Sequence, residues 1–289
     1  METTHHDGIR QAVRKTDGNV AKATTAATGA NQAASCCGPS DNLTEANPRS
    51  SCGCGGPGLS LEQMSAAIGY TKADVDSVPE GSNMGLGCGN PVALASLKSG
   101  ETVVDLGSGG GFDCFLAAKQ VGETGRVIGV DMTPEMVSKA RNNSEKMGMG
   151  NVEFRLGEIE NIPVADNSAD IIMSNCVVNL SPDKLSVYRD AYRVLKAGGR
   201  LAISDVLATA PLPEEFQKDL ALLAACVGGA ETINDTEQLL KEAGFQDITI
   251  KPNDNSRELL KEWDPKKSKN AGDYVISAYI EAVKPALSY

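Results

Sequence analysis

Three sulfur-bearing segments and one glycine-rich segment carry the residues best able to do chemistry in this chain. The thiols are Cys88 in Gly87-Cys88-Gly89-Asn90-Pro91, Cys176 in Ser174-Asn175-Cys176-Val177-Val178-Asn179-Leu180, and Cys226 in Ala225-Cys226-Val227-Gly228-Gly229-Ala230. The glycine segment is Asp105-Leu106-Gly107-Ser108-Gly109-Gly110-Gly111. Glycines there let the backbone turn sharply and approach a ligand closely. Their spacing is G-x-G-x-G. Phe112 stands where a dinucleotide fingerprint needs a further glycine, and the Gly-Lys-Ser/Thr of a P-loop is absent. Asp105, just ahead of the glycines, suits a cationic ligand better than a pyrophosphate.

Composition narrows the chemistry. In 289 residues, 27 Lys and Arg face 38 Asp and Glu, a net charge of −11, which argues against nucleic acid or a membrane surface as partner. The two histidines, His5 and His6, fall in an N-terminal stretch expected to lie outside the folded part. On that expectation Ser-His-Asp hydrolysis, Cys-His proteolysis and His-ligated zinc drop out. No apolar run approaches the ~18 residues of a membrane span, and no signal-peptide pattern follows the polar start, so a cytoplasmic setting is expected. The eight cysteines (36, 37, 52, 54, 88, 114, 176 and 226) are then free thiols by default. Cys114, on an apolar helix, reads as packing.

These residues need a scaffold, and the pattern of the chain supplies one. Residues 1–35 are rich in Ala, Thr, Asn and Gly with few large apolar side chains, which predicts a disordered tail. A Gly/Pro-punctuated loop with Cys36, Cys37, Cys52 and Cys54 follows, completing a segment 1–59. Short apolar runs then alternate with amphipathic ones. Strands are expected at Val103–Leu106, Val127–Val130, Val152–Arg155, Ile171–Ser174 and Leu201–Asp205. Helices are expected at Leu61–Ile68 (capped by Ser60 with Gln63), Phe112–Gln120, Pro134–Met147 and Pro182–Leu195. This βαβα order predicts an α/β fold, a parallel sheet covered on both faces. Beyond Asp205 the pattern gives helices from Glu214 to about Ala225 and from about Thr236 to Ala243, with Gly244 as C-cap. A closing strand pair, Ile248–Lys251 and Tyr274–Val283, is separated by a solvated loop at Lys261–Lys269. The expected units are 1–59, 60–205 and 206–289, the last completing the sheet and covering the site.

The second strand ends in Val130-Asp131-Met132, with Asp131 26 residues after Asp105, where an acid can hydrogen-bond a ribose diol. The third strand is followed by Gly157-Glu158-Ile159, at a strand edge where an adenine can lie. With the glycine loop, these features resemble the class I S-adenosylmethionine-dependent methyltransferases over about residues 95–205. The resemblance implies a Rossmann-like doubly wound sheet. It assigns Asp105, Gly107, Ser108 and Gly109 to the methionine part, Asp131 and Met132 to the ribose, and Glu158 and Ile159 to the adenine, with Asn175 beside them.

Cys176 falls at the carboxyl end of the fourth strand, and the segments bearing Cys88 and Cys226 can fold over the same rim. Three sulfurs without imidazole or carboxylate favour a soft centre. Trivalent arsenic is one, and its lone pair can attack an electrophilic methyl. The combined motifs resemble the arsenite methyltransferases over about residues 60–252. The resemblance implies that Cys88, Cys176 and Cys226 bind As(III) as substrate. It further implies that arsenite arrives as a thiol conjugate, and that S-adenosyl-L-methionine is the donor with a thiol reductant (glutathione or thioredoxin) as cosubstrate. The expected setting is arsenic detoxification by a cytoplasmic monomer. Some family members use a fourth, upstream cysteine, for which Cys52 and Cys54 are the candidates. The N-terminal thiols are otherwise open to metalloid capture, redox chemistry or no defined role, and the usual C-x-x-C zinc spacing is missing. Two rival readings remain. One is another small-molecule methyltransferase, acting for example on a quinone ring, which low aromatic content (4%) disfavours. The other is a metalloid-binding protein without catalysis, which the intact glycine loop disfavours.

Overall fold

The computed structural model describes residues 2–26, 60–256, 260 and 271–286. Its strands are β1 (Thr102–Leu106), β2 (Arg126–Asp131), β3 (Val152–Leu156), β4 (Ala169–Asn175), β5 (Leu195–Ala208), β6 (Gln246–Pro252) and β7 (Val275–Val283). They form one sheet in the order β3-β2-β1-β4-β5-β7-β6. The first five are parallel, and β7 runs antiparallel between β5 and β6. All seven expected strands are present. The central strands are near-continuous apolar runs because both faces are covered. Val104, Leu106, Val130 and Ile172 pack on one face, and Val103, Val127, Ile171 and Met173 on the other.

Helices fill both faces. Val187, Tyr188 and Ala191 of α7 (Lys184–Val194) and Leu240 of α10 (Ile233–Ala243) join the first layer. Phe115 and Ala117 of α5 (Phe112–Val121) and Val137 and Ala140 of α6 (Pro134–Met147) join the second. Local chemistry sets the helix ends. Ser60 and Gln63 form the expected capping box on α2 (Leu61–Ala67), and Gly244 ends α10 at φ +104°. Helix α10 starts three residues earlier than the apolar pattern suggests, because the Thr232 side chain caps the Asp235 N–H. The single helix expected from Glu214 to Ala225 is two: α8 (Glu214–Gln217) and α9 (Leu220–Ala224). Asp219 breaks it by accepting from the Ala221 N–H at 3.0 Å, a local bond that competes with the helical ladder. Two short helices, α3 (Lys72–Asp76) and α4 (Pro91–Ala95), frame the segment that carries Cys88.

The N-terminus departs most from expectation. Residues 2–26, expected as disordered tail, form helix α1 (Glu2–Ala26), which carries His5 and His6. Ile9, Val13, Val20 and Ala21 are buried. Val20 and Ala21 pack on Met84 and Met136. Four modest apolar side chains cannot build a core, but they can cover a surface that is already folded. Charge fixes the docking. Arg10 bonds Glu160 at 3.0 Å and lies 3.5 Å from Glu158, which also pairs with Arg14. Lys22 pairs with Glu135 at 2.9 Å. Residues 27–59, with Cys36, Cys37, Cys52 and Cys54, and the Lys261–Lys269 stretch lie outside the described residues. Among the described residues no helix is long and apolar enough to cross a membrane.

Exposed ion pairs contribute about 0.2–1 kcal/mol each, and half-buried ones more. Replacing Arg10 and Arg14 together by alanine should therefore speed amide exchange in residues 2–26 by a factor of about 5–30 while the central strands keep their protection. Unchanged exchange in α1 would show that these pairs do not hold it.

Candidate active site

The strand order reverses between β1 and β4, and a cleft of about 1290 Å³ opens there outside the strands' carboxyl ends. Beyond β1 the chain bends through Gly107 at φ +75°, Gly109 at +50° and Gly111 at +90°. The turn is pinned to β2. Gly107 and Ser108 donate N–H bonds to the Val130 carbonyl at 2.7 and 3.0 Å. Asp131 accepts from the Gly109 N–H at 2.9 Å and the Thr133 N–H at 2.8 Å. A β-carbon on Gly107 would overlap Val177. Burial raises the Asp131 pKa despite these bonds. The Ser108 hydroxyl is buried without a hydrogen-bond partner among the described residues.

Asp105, Gly107, Ser108, Gly109, Asp131, Met132, Ile159 and Asn175 all line the cleft. Glu158 is placed differently. Its carboxylate turns to Arg10 and Arg14 of α1, and Glu160 stands on the lining instead. The motifs gave no sign of the polar network behind the glycine loop. Tyr70 donates to Asp113 at 2.5 Å. The Asn175 amide donates to Gly89 O at 2.9 Å, Tyr70 Oη at 3.0 Å and Asp113 at 3.2 Å, and its oxygen accepts from the Cys88 N–H at 3.0 Å. Asn175 thus ties the Cys88 loop to the cleft wall. Burial pushes Asp113 up to about 6 against its bonds from Tyr70 and Asn175. Burial raises Asp105 too, with Asp113 adding repulsion. Cys114, expected as packing, is buried and donates to Asp105 at 3.1 Å.

Of the three thiols of interest, Cys176 and Cys226 line the cleft, and Cys88 is buried in the same apolar cluster as both. The chain leaves β4 through Cys176 at φ +60°, whose N–H reaches Ser204 O on β5 at 2.7 Å. Cys226 has φ +61°, and its thiol donates to Cys176 O at 3.0 Å. Left-handed backbone at a residue with a side chain is strained, and such strain concentrates at functional sites. Cys88 is held through its own carbonyl, which accepts from Ser277 Oγ of β7 at 2.8 Å. The Cys176 thiol lies near enough to those of Cys88 and Cys226 for both to act on it, and the Cys88 thiol is in contact with Ser204 Oγ at 3.7 Å. The sulfurs of Cys88 and Cys176 and a carboxylate oxygen of Asp205 lie within 4.8 Å of one another. Burial, then the neighbouring thiols, raises the Cys176 pKa well above the usual thiol value. The bond from Cys176 favours the Cys226 thiolate, but burial with Asp205, Cys88 and Asp17 leaves Cys226 raised as well. Burial pushes Asp205 itself up to about 6. Asp205 is a neighbour the motif reading missed; its position beside Cys176, across from β4, was its only signal.

The exclusion of histidine chemistry rested on both histidines lying outside the folded part, and α1, which carries them, corrects that premise. The cleft wall nonetheless carries no histidine among its described residues.

A sheet of this order, with a glycine turn after its first strand and an acid ending its second, defines the class I S-adenosylmethionine-dependent methyltransferases. Residues 97–244 match the family described as "Methyltransferase domain". The solved arsenic(III) S-adenosylmethionine methyltransferase of Chlamydomonas reinhardtii is 33% identical, with a TM-score of 0.59, over 77% of this chain and 73% of that one. The curated arsenite methyltransferase of Halobacterium salinarum is 56% identical over 77% of this chain and 56% of that protein. That of Aquipseudomonas alcaligenes is 47% identical over 58% of this chain and 50% of that protein. The chain belongs to the arsenite methyltransferase family. It spans about half the length of the curated relatives it matches.

Gly107→Ala combines a strained φ with a clash against Val177, and should cost about 2–4 kcal/mol in urea unfolding. A loss under ~0.5 kcal/mol would mean the turn is not held as described.

Proposed function

We propose that this chain methylates trivalent arsenic, with S-adenosylmethionine as donor and Cys88, Cys176 and Cys226 as the sulfur ligands of the arsenic. The observation that carries this reading is the gathering of three thiols from separate stretches of chain, with the Cys88 and Cys176 sulfurs within 4.8 Å of each other and the Cys226 thiol on the Cys176 carbonyl. The cleft fits the donor. Its acidic wall (Asp105, Asp113, Asp131) suits a cation, Ser108 offers a buried hydroxyl without a partner, and the space against Gly107 would be lost to a side chain. When bound, S-adenosylmethionine supplies a methyl group on an electron-poor sulfonium.

The chain's own residues do the rest by holding groups in place. Gly107–Gly111 would cradle the methionine part, Asp131 would accept from the ribose hydroxyls, and Met132 and Ile159 would flank the adenine. The raised thiol pKa values mean that Cys176 and Cys226 stay protonated at neutral pH. Arsenite arriving as a thiol conjugate resolves this. Each protein thiol forms an S–As bond while its proton leaves with the displaced thiol, so the exchange needs no external base. The arsenic lone pair would form the As–C bond as the S–CH3 bond of the donor breaks and its electron pair returns to sulfur, leaving S-adenosylhomocysteine, and no deprotonation is needed. Positioning therefore supplies much of the rate. Arsenic loses two electrons in that step, and a thiol reductant of the glutathione or thioredoxin kind returns it to the trivalent state for a further methylation.

The sulfurs must remain reduced, which suits a cytoplasmic setting and a role in detoxification. The quinone-ring alternative is poorly served, since Phe112 is the one aromatic among the described lining residues.

Monomethylarsenic needs only two protein sulfurs. Cys176→Ser and Cys226→Ser should abolish methylation of both arsenite and the monomethyl species. Cys88→Ser should lose action on arsenite and keep a part of that on the monomethyl species. Arsenic speciation after incubation with donor and thiol reads each case. Normal arsenite methylation by Cys176→Ser or Cys226→Ser would refute the proposal.

A further inference from the structure

The cleft has a wall that the family motifs do not supply. Arg10, Val13 and Asp17, all on α1, line it together with the glycine turn. Asp17 is the anomaly. Burial, then the charge of Asp131, pushes its carboxyl up to about 8. Asp17 in turn acts on the thiol of Cys226. Its carboxyl therefore stands within electrostatic reach of the acid at the ribose end and of a thiol at the acceptor end.

No described cation pairs with it. Three cations of α1 are directed elsewhere, Arg10 and Arg14 to Glu158 and Glu160 and Lys22 to Glu135, and the fourth, Lys15, is exposed. Across the cleft stand Asp105 and Asp113, both buried acids. A carboxyl held among other carboxyls disfavours the empty cleft. A ligand with positive charge at this point would reverse that cost. On the reading above, the donor carries such a charge on its sulfonium, between ribose and acceptor. The demethylated product, S-adenosylhomocysteine, is a neutral thioether there.

We propose that Asp17 is a specificity-determining residue on a covering helix, supplying the counter-charge to the donor's sulfonium so that α1 closes more firmly over the charged donor than over the neutral product. The inference rests on the donor assignment made above. It gives α1 a role in exchange of spent for fresh donor: the helix is drawn down by the charge that the reaction removes.

Isothermal titration calorimetry of the full chain with S-adenosylmethionine, S-adenosylhomocysteine and sinefungin tests it. Sinefungin carries an amine in place of the sulfonium, so it separates charge from the methyl group. In Asp17→Asn, affinity for the donor and sinefungin should fall about tenfold, while affinity for S-adenosylhomocysteine stays within about twofold. Retained S-adenosylhomocysteine binding also shows that the variant is folded. Asp17→Glu should restore part of the preference. A parallel loss for all three ligands, or no loss for any, overturns the role of Asp17 alone. Failure of the unaltered chain to bind any of them overturns the donor assignment and this inference with it.

Discussion

Two cysteines held in left-handed backbone set the geometry on which the rest of the site depends. At φ +60° and +61°, Cys176 and Cys226 occupy a region that costs a non-glycine residue about 1–2 kcal/mol. Both pay in backbone strain, and the two turns bring the Cys226 thiol onto the Cys176 carbonyl. Tertiary packing sustains the strain. The Cys176 N–H is anchored on β5, and the Asn179 amide bridges Val206 and the Cys226 carbonyl. The Cys88 loop is clamped from two sides, by Asn175 and by Ser277 of the antiparallel strand β7. The C-terminal part of the chain thus does more than finish the sheet; through β7 it holds the third sulfur.

Charge organises the other half of the cleft. Asp105, Asp113 and Asp131 are buried, and burial raises the pKa of each. Such a wall resists anions and leaves a ready place for a cationic ligand. The arginines nearest to it do not neutralise it. They pair with Glu158 and Glu160 and fasten α1 over the opening. The acids inside and the ion pairs at the rim serve different ends, ligand charge and closure.

Much of this was legible in the sequence where one physical signal dominates. The central strands read as apolar runs because both faces are covered. The glycine turn and Asp131 sit at fixed places along adjacent strands. Cys88 stood out because its glycine-rich loop is poor core material, and Cys176 because it falls at the carboxyl end of a strand. Helix α1 was hidden because its apolar face is too sparse to fold alone and gains its stability from a surface formed by distant residues. The Asn175–Tyr70–Asp113 network was hidden for a related reason: its members lie up to 105 residues apart and carry no shared spacing. Glu158 was expected at the adenine because the strand edge points there, yet the two arginines of α1 claim its carboxylate. The break at Asp219 turned on one side chain choosing a cap over a helical interior.

Convergence of three sulfurs on one arsenic atom is the central claim, and arsenic K-edge X-ray absorption measures it directly. The sample is the full chain with Cys36→Ser, Cys37→Ser, Cys52→Ser and Cys54→Ser, loaded with one equivalent of arsenite and no other thiol. The account predicts a first shell of three sulfurs that becomes two sulfurs and one oxygen on Cys88→Ser. A shell dominated by oxygen, or one indifferent to Cys88, Cys176 and Cys226, would contradict it.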